Sequence, residues 1–109
     1  MTVSYRQAAS DDVVRQFRYY LVNLNLPEVA FRFRVAVQRT VQSLRHHPFV
    51  GPRYRSRNPK IQGLRTWPVA GFEVIRIYYI PVENGISVVR VLHGRRDIKR
   101  ILEGEGRRN

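Results

Sequence analysis

Residues 72–93 read FEVIRIYYIPVENGISVVRVLH, and this stretch decides the fold. Phe72 to Ile80 and Ile86 to His93 are dense in β-branched and aromatic residues, which suit a pleated, half-buried strand. Between the two runs, Asn84-Gly85 is the pair that best tolerates successive positive φ angles, so a two-residue type I′ turn is expected there. That turn would set a register in which Glu83 faces Ile86, Tyr79 faces Arg90, Ile77 faces Leu92 and Arg76 faces His93. One face then holds Ile75, Ile77, Tyr79, Val88 and Leu92, the expected core side. The other holds Val74, Arg76, Tyr78, Val89, Val91 and His93.

Upstream, Leu64 to Val69 reads as a further strand, with Pro68 marking an edge or a bulge, and Ala70-Gly71 as a tight turn. Earlier still the period changes from two to three and four. Val14, Phe17, Leu21 and Leu24 form one apolar stripe, and Ala30, Phe33, Val37, Val41 and Leu44 form another. Ser10 is placed to cap the first helix, with Asp11 and Asp12 in its first turn, and Pro27 with Glu28 suits the start of the second. Few residues separate the two helices, so they must be antiparallel neighbours, and His46-His47-Pro48 ends the second. Val3 and Tyr5 alternate with polar residues as a short first strand, and Asp97 to Leu102 makes a last helical turn or two.

The expected architecture is α+β in the order β-α-α-β-β-β: an N-terminal strand, an antiparallel helical hairpin packed on a small antiparallel sheet, and a short C-terminal helix. A chain of 109 residues forms one domain, 1–109, with about 103–109 expected to be a frayed tail.

Charge narrows the choice of partner. Twenty Lys+Arg against eight Asp+Glu give +12, which favours nucleic acid, an acidic protein or a membrane surface. Lys60 and Lys99 are the only lysines; the arginines offer planar forks for phosphate and carboxylate, although GC-rich codon usage would also produce them. The absence of cysteine excludes disulfides, thiolate zinc sites and a cysteine nucleophile. No apolar run suggests a signal peptide or a membrane span, so a cytoplasmic location is expected.

From Pro48 to Pro59 the chain reads as a loop in which Arg53, Arg55 and Arg57 alternate with Tyr54, Ser56 and Asn58, a pattern that fits phosphate tracking or plain solvation. His46 and His47 are adjacent and diverge, the glycines are scattered, and no serine sits in a nucleophile elbow. No metal or cofactor is expected. One enzymatic route stays open, metal-free RNA cleavage by His93, Arg76, Tyr78, Arg95 and Arg96.

His47-Pro48-Phe49-Val50-Gly51, Gly63-Leu64-Arg65, Pro68-Val69 and above all Val91-Leu92-His93-Gly94-Arg95-Arg96-Asp97-Ile98 resemble the ParE branch of the RelE/ParE toxin superfamily, over about Tyr5 to Leu102. The resemblance implies a bacterial type II toxin that poisons DNA gyrase, with DNA itself a possible part of the gyrase complex it meets, and that a cognate antitoxin neutralises. RNA-cutting relatives of RelE type carry an arginine and a tyrosine at places that here hold Glu73 and Leu102, while Arg96 matches an arginine of those enzymes. A non-catalytic gyrase inhibitor is therefore expected; a ribosome-dependent mRNA interferase and a basic nucleic-acid-binding module are the alternatives. For target contact the candidates are Arg65, Trp67, His93, Arg95 and Arg96, with Trp67 equally suited to core packing and Asp97 to capping the last helix. The resemblance also implies a ParD-like antitoxin with an acidic C-terminal segment. Its apolar face would lie on Tyr20, Phe31 and Val35 while its carboxylates meet Arg18, Arg32 and Arg39.

Overall fold

In the computed structural model, which describes residues 2–106, the chain runs β1 (Thr2–Tyr5), α1 (Gln7–Arg18), a π-helical extension (Tyr19–Asn23), α2 (Pro27–His46), a 3-10 turn (Pro59–Ile61), β2 (Arg65–Val69), β3 (Phe72–Val82), β4 (Gly85–His93) and α3 (Ile98–Glu103). The four strands form one sheet in the order β1-β4-β3-β2. β2, β3 and β4 are the expected antiparallel meander, and β1 adds to β4 in parallel, so the sheet is mixed. Pro68 lies on edge strand β2, beside a register shift between Pro68 and Val69, where its missing donor costs least.

The α2 stripe is buried as its spacing requires: Ala30, Phe33, Val37, Val41 and Leu44 are at most 2% exposed. Each of the larger ones contributes about 1.5–3 kcal/mol by leaving water. They pack on Ile75, Ile77 and Tyr79 of β3 and on Ile86, Val88 and Val91 of β4. Ile61, Leu64, Tyr78, Val89, Leu92 and Leu102 form a second cluster that includes α3.

The hairpin register differs from the expected one. Val82 pairs with Gly85, so the turn is Glu83-Asn84, and of these only Asn84 has a positive φ (65°). Gly85 lies in the strand opposite Thr2 of β1, and a Cβ there would overlap the Thr2 carbonyl. The close approach of β1, not turn geometry, is what requires glycine at this position. A second shift lies at Tyr78/Tyr79: Tyr79 pairs with Val88 but Tyr78 with Arg90, which leaves Val89 as the extra residue of a bulge. Beyond the bulge every side chain of β4 changes face, so Val91 joins the helix-facing core and Leu92 the opposite cluster, the reverse of the expected assignment.

α1 begins before Ser10. Arg6 is its N-cap residue, Ser10 lies within the helix and supplies no side-chain cap, and Asp11 and Asp12 fall beyond the first turn. Val14 and Leu24, members of the expected stripe, are half exposed, whereas Ala9 and Asp12 are buried. After Arg18 the helix widens: Leu24 N–H donates to Tyr19 O at 3.0 Å, five residues back. Tyr20 thereby packs on Phe33 and Phe72, with ring centroids 5.6 and 5.9 Å apart.

The end of the described chain is held in place. Asn58 donates its side-chain amide to the carbonyls of Leu102 (3.0 Å), Glu103 (3.2 Å) and Glu105 (2.7 Å), and Lys60 donates to Gly106 O (2.9 Å). Residues 103–106 are thus pinned rather than frayed; residues 107–109 of the expected tail lie outside the described residues.

Candidate functional site

Beside its buried stripe, α2 carries a second one. Glu28, Phe31 with Arg32, Val35 and Arg39 recur at three and four residues and face a groove of about 930 Å³ whose far wall is the β2–β3 turn, Ala70 to Phe72. Phe31 is 53% exposed and Val35 43%, although Phe31 directly follows the fully buried Ala30. Phe31 is steadied edge-on against Phe17, with centroids 5.4 Å apart. The result is an apolar trough with guanidinium groups at its margin, Arg32 and Arg39, and one acid, Glu28.

Of the six residues expected to meet an antitoxin, Phe31, Arg32, Val35 and Arg39 come together in this groove. Tyr20 does not: its ring is packed in the aromatic cluster with Phe33 and Phe72. Arg18 is exposed on α1 and does not line the groove.

The five target-contact candidates divide differently. Register places Arg65 opposite Tyr79, Trp67 opposite Ile77 and His93 opposite Ile75, so all three share the helix-facing side of the sheet. Arg65 is engaged internally, donating to Phe49 O (3.2 Å) and Gly51 O (2.7 Å) while its guanidinium stacks over the Phe49 ring at 5.1 Å. Trp67 is half-buried against the core. His93 Nδ1 accepts from Arg95 N–H at 3.1 Å, which fixes the β4–α3 turn, and Arg95 and Arg96 remain exposed on that turn. Asp97 caps α3, its carboxylate accepting from Arg100 N–H at 3.3 Å.

The groups of the nuclease route are not assembled. The shifted turn and the bulge together pair Arg76 with Leu92 instead of His93, and the bulge puts the two on different faces. Arg76 and Tyr78 therefore project to the face opposite His93. Arg76 Nε donates to Thr66 Oγ1 at 3.0 Å, and Tyr78 is 2% exposed against Tyr54, with burial raising its pKa above the ordinary phenol value. Leu102 is buried in the same cluster, and Glu73 accepts from Gly71 N–H at the β2–β3 turn.

Sequence reading missed one polar centre. Asp12 accepts from Arg90 Nε (2.7 Å), Arg90 Nη2 (2.8 Å) and the Val91 N–H (2.9 Å), and Arg90 also donates to Glu105 at 3.2 Å. These bonds, with those to Asp12 foremost, hold the Arg90 pKa above its ordinary value despite burial. The centre ties α1, β4 and the C-terminal turn together. Its only sequence signal is an acid within an otherwise amphipathic helix, and the partner lies 78 residues away.

Comparison with known proteins gives a likeness of fold and a family. A search of curated protein sequences gives no match. Among solved structures, a chain described as "Chromosomal ParDE TA system from P. aeruginosa" superposes with a TM-score of 0.62 at 19% identity, covering 85% of this chain and 95% of that one, which is a likeness of fold. Residues 3–98 match the profile of the family described as "ParE toxin of type II toxin-antitoxin system, parDE", a span that takes in the hairpin, all of the sheet but Thr2, and the Gly94-Arg95-Arg96-Asp97 turn. With nearly its full length inside that profile, the chain belongs to the ParE toxin family of type II toxin–antitoxin systems.

Proposed function

We propose that the protein arrests bacterial growth by binding DNA gyrase in the cytoplasm, without covalent chemistry of its own, and that a ParD-like acidic antitoxin neutralises it by occupying the α2 groove. The groove carries the antitoxin half of this reading. A helical segment with an apolar stripe can seat on Phe31, Val35 and Phe72 while its carboxylates reach Arg32 and Arg39. Family membership supports the toxin role, and the exposed Arg95 and Arg96 supply charged forks for a target. The separation of His93 from Arg76 and Tyr78 across the sheet supports a non-catalytic mode.

The test has two arms. Purified protein should inhibit gyrase supercoiling or trap cleaved DNA, and expression should induce the DNA-damage response and filamentation. Cutting of ribosome-bound message with gyrase untouched would replace this reading by an mRNA interferase. Co-expression with the product of an adjoining reading frame that has an acidic tail should give a stoichiometric complex. A complex indifferent to every groove substitution would remove the antitoxin from α2.

A further inference from the structure

Beyond edge strand β2, away from the α2 groove, a second charged surface has no part in the contacts described so far. From Arg53 to Asn58 burial alternates residue by residue: Arg53, Arg55 and Arg57 are exposed, and Tyr54, Ser56 and Asn58 turn inward. The inward side chains anchor the segment. Tyr54 packs edge-on against Tyr78 at 5.4 Å, Asn58 N–H donates to Ser56 Oγ at 3.1 Å, and the Asn58 amide holds the C-terminal turn. Tyr54 N–H donates to Leu64 O at 2.9 Å and Arg53 bridges to Arg65, which ties the start of the segment to β2. Three arginines are thus displayed on the exposed side of a tethered segment. Lys99 of α3 lines the same hollow as Arg55 and Arg57, with Glu103 as its one acid.

Among the described residues, every ion pair belongs to the Asp12–Arg90–Glu105 centre, so none of these four cations has a carboxylate partner. We infer that Arg53, Arg55, Arg57 and Lys99 form a surface that tracks the phosphate backbone of duplex DNA. Spaced forks held by a pinned segment lose little freedom on meeting successive phosphates. Tyr54 is packed inward, and Phe49, the exposed aromatic beside Arg53, already carries the Arg65 guanidinium over its ring, so stacking of unpaired bases has no free platform here and the duplex backbone is the ligand favoured over a single strand.

The test uses the purified chain and a fluorescent duplex of mixed sequence, with binding followed by anisotropy from 50 to 200 mM salt. Three lost phosphate contacts flatten the slope of log K against log salt by about 2.7. Arg53→Ala/Arg55→Ala/Arg57→Ala should therefore show a salt-induced loss of affinity about 40-fold smaller than wild type over that range. It should melt like wild type, because the anchoring side chains are untouched. Arg32→Ala/Arg34→Ala/Arg39→Ala removes equal charge from α2 and should leave the slope near that of wild type. Equal flattening by both triples would reduce the effect to diffuse charge and overturn the proposal. Tighter binding of polyglutamate than of duplex DNA through the same residues would overturn it in favour of an acidic protein. Gyrase is absent from this assay, so a toxin that binds DNA but leaves gyrase active refutes only the proposed target.

Discussion

Removing Asp12 tests whether the buried charge centre holds the two halves of the chain together. The Asp12 side chain is 1% exposed and the Arg90 side chain 13%, so Asp12→Ala leaves a guanidinium largely out of water and an edge N–H, that of Val91, without its acceptor. Breaking a buried pair from one side costs about 3–5 kcal/mol. Here Arg90 keeps Glu105 at 3.2 Å and some access to solvent, which puts the expected loss near the lower end, about 3 kcal/mol. The Arg15 contact adds little, because its side chain is 59% exposed and such pairs contribute about 0–1 kcal/mol. For a domain of this size the melting temperature should fall by roughly 12 °C. The assay is urea unfolding of wild type, Asp12→Ala, Arg90→Ala and the double variant. Charges in contact should give a coupling energy of at least about 1.5 kcal/mol. Burial predicts that moderate salt barely changes it. A coupling below about 0.5 kcal/mol, or one that salt abolishes, would refute the claim that this pair is a structural clamp.

Three further outcomes follow from the geometry. Phe31→Asp should abolish antitoxin co-purification while shifting stability by about 1 kcal/mol or less, because Phe31 is half exposed; loss of folding, seen by circular dichroism, would place it in the core instead. Arg95→Ala and Arg96→Ala should melt within about 0.5 kcal/mol of wild type yet lose toxicity, and full toxicity in both would remove that turn from the target surface. Burial raises the pKa of Tyr79, opposed by the Gly51 N–H and Arg65, so the folded state holds this proton more tightly than the unfolded chain. Stability should be complete below about pH 10, the unfolded value, and decline as pH rises from there through the folded pKa; a flat urea midpoint across that window would contradict it.

What the sequence made legible was what local chemistry decides. The α2 stripe was readable because five apolar residues at three- and four-residue spacing admit one buried face, and Pro27 and His46 bound the helix as expected. Pro68 announced an edge because a residue without an N–H cannot pair fully with strands on both sides. The misreadings arose where a distant element overrode a local preference. Asn84-Gly85 favours a type I′ turn in isolation, but β1 needs Gly85 as its close neighbour, and the turn moved back one residue. The bulge at Val89 leaves no mark in the pattern of β4, yet it sends His93 to the opposite face from Arg76 and so decides which side chains could cooperate. At the groove, Phe31, Arg32, Val35 and Arg39 were found as apolar and basic residues off the main stripe. Tyr20 shares that description, and only the π-helical turn that swings it onto Phe33 shows otherwise.

Asp12 also explains how the sheet is finished. β1 pairs with β4 only from Gly85 to Val88, and Arg6 N–H extends the ladder by donating to Val88 O at 2.9 Å. Past that point β4 would present an unpaired edge, and an unpaired edge invites pairing with another chain. α1 closes it: the helix leaves β1 at once and brings Asp12 onto the Val91 N–H, where a carboxylate stands in for the missing strand. The same carboxylate takes the guanidinium of Arg90, so closing the edge and burying the charge are one event. Asp12 and Glu105 are occupied by Arg90, Asp97 caps α3, and Glu73 accepts at a turn, which leaves few acids to neutralise the exposed arginines. The surface is therefore positive toward any approaching partner, and both anionic partners proposed above, antitoxin and DNA, would be drawn in at rates that fall with salt. Attraction of that sort does not discriminate between them. Discrimination has to come from the two faces: the apolar trough of α2 rewards a partner that can bury a hydrophobic stripe, and the row from Arg53 to Arg57, which offers no such trough, rewards one that carries regularly spaced phosphates.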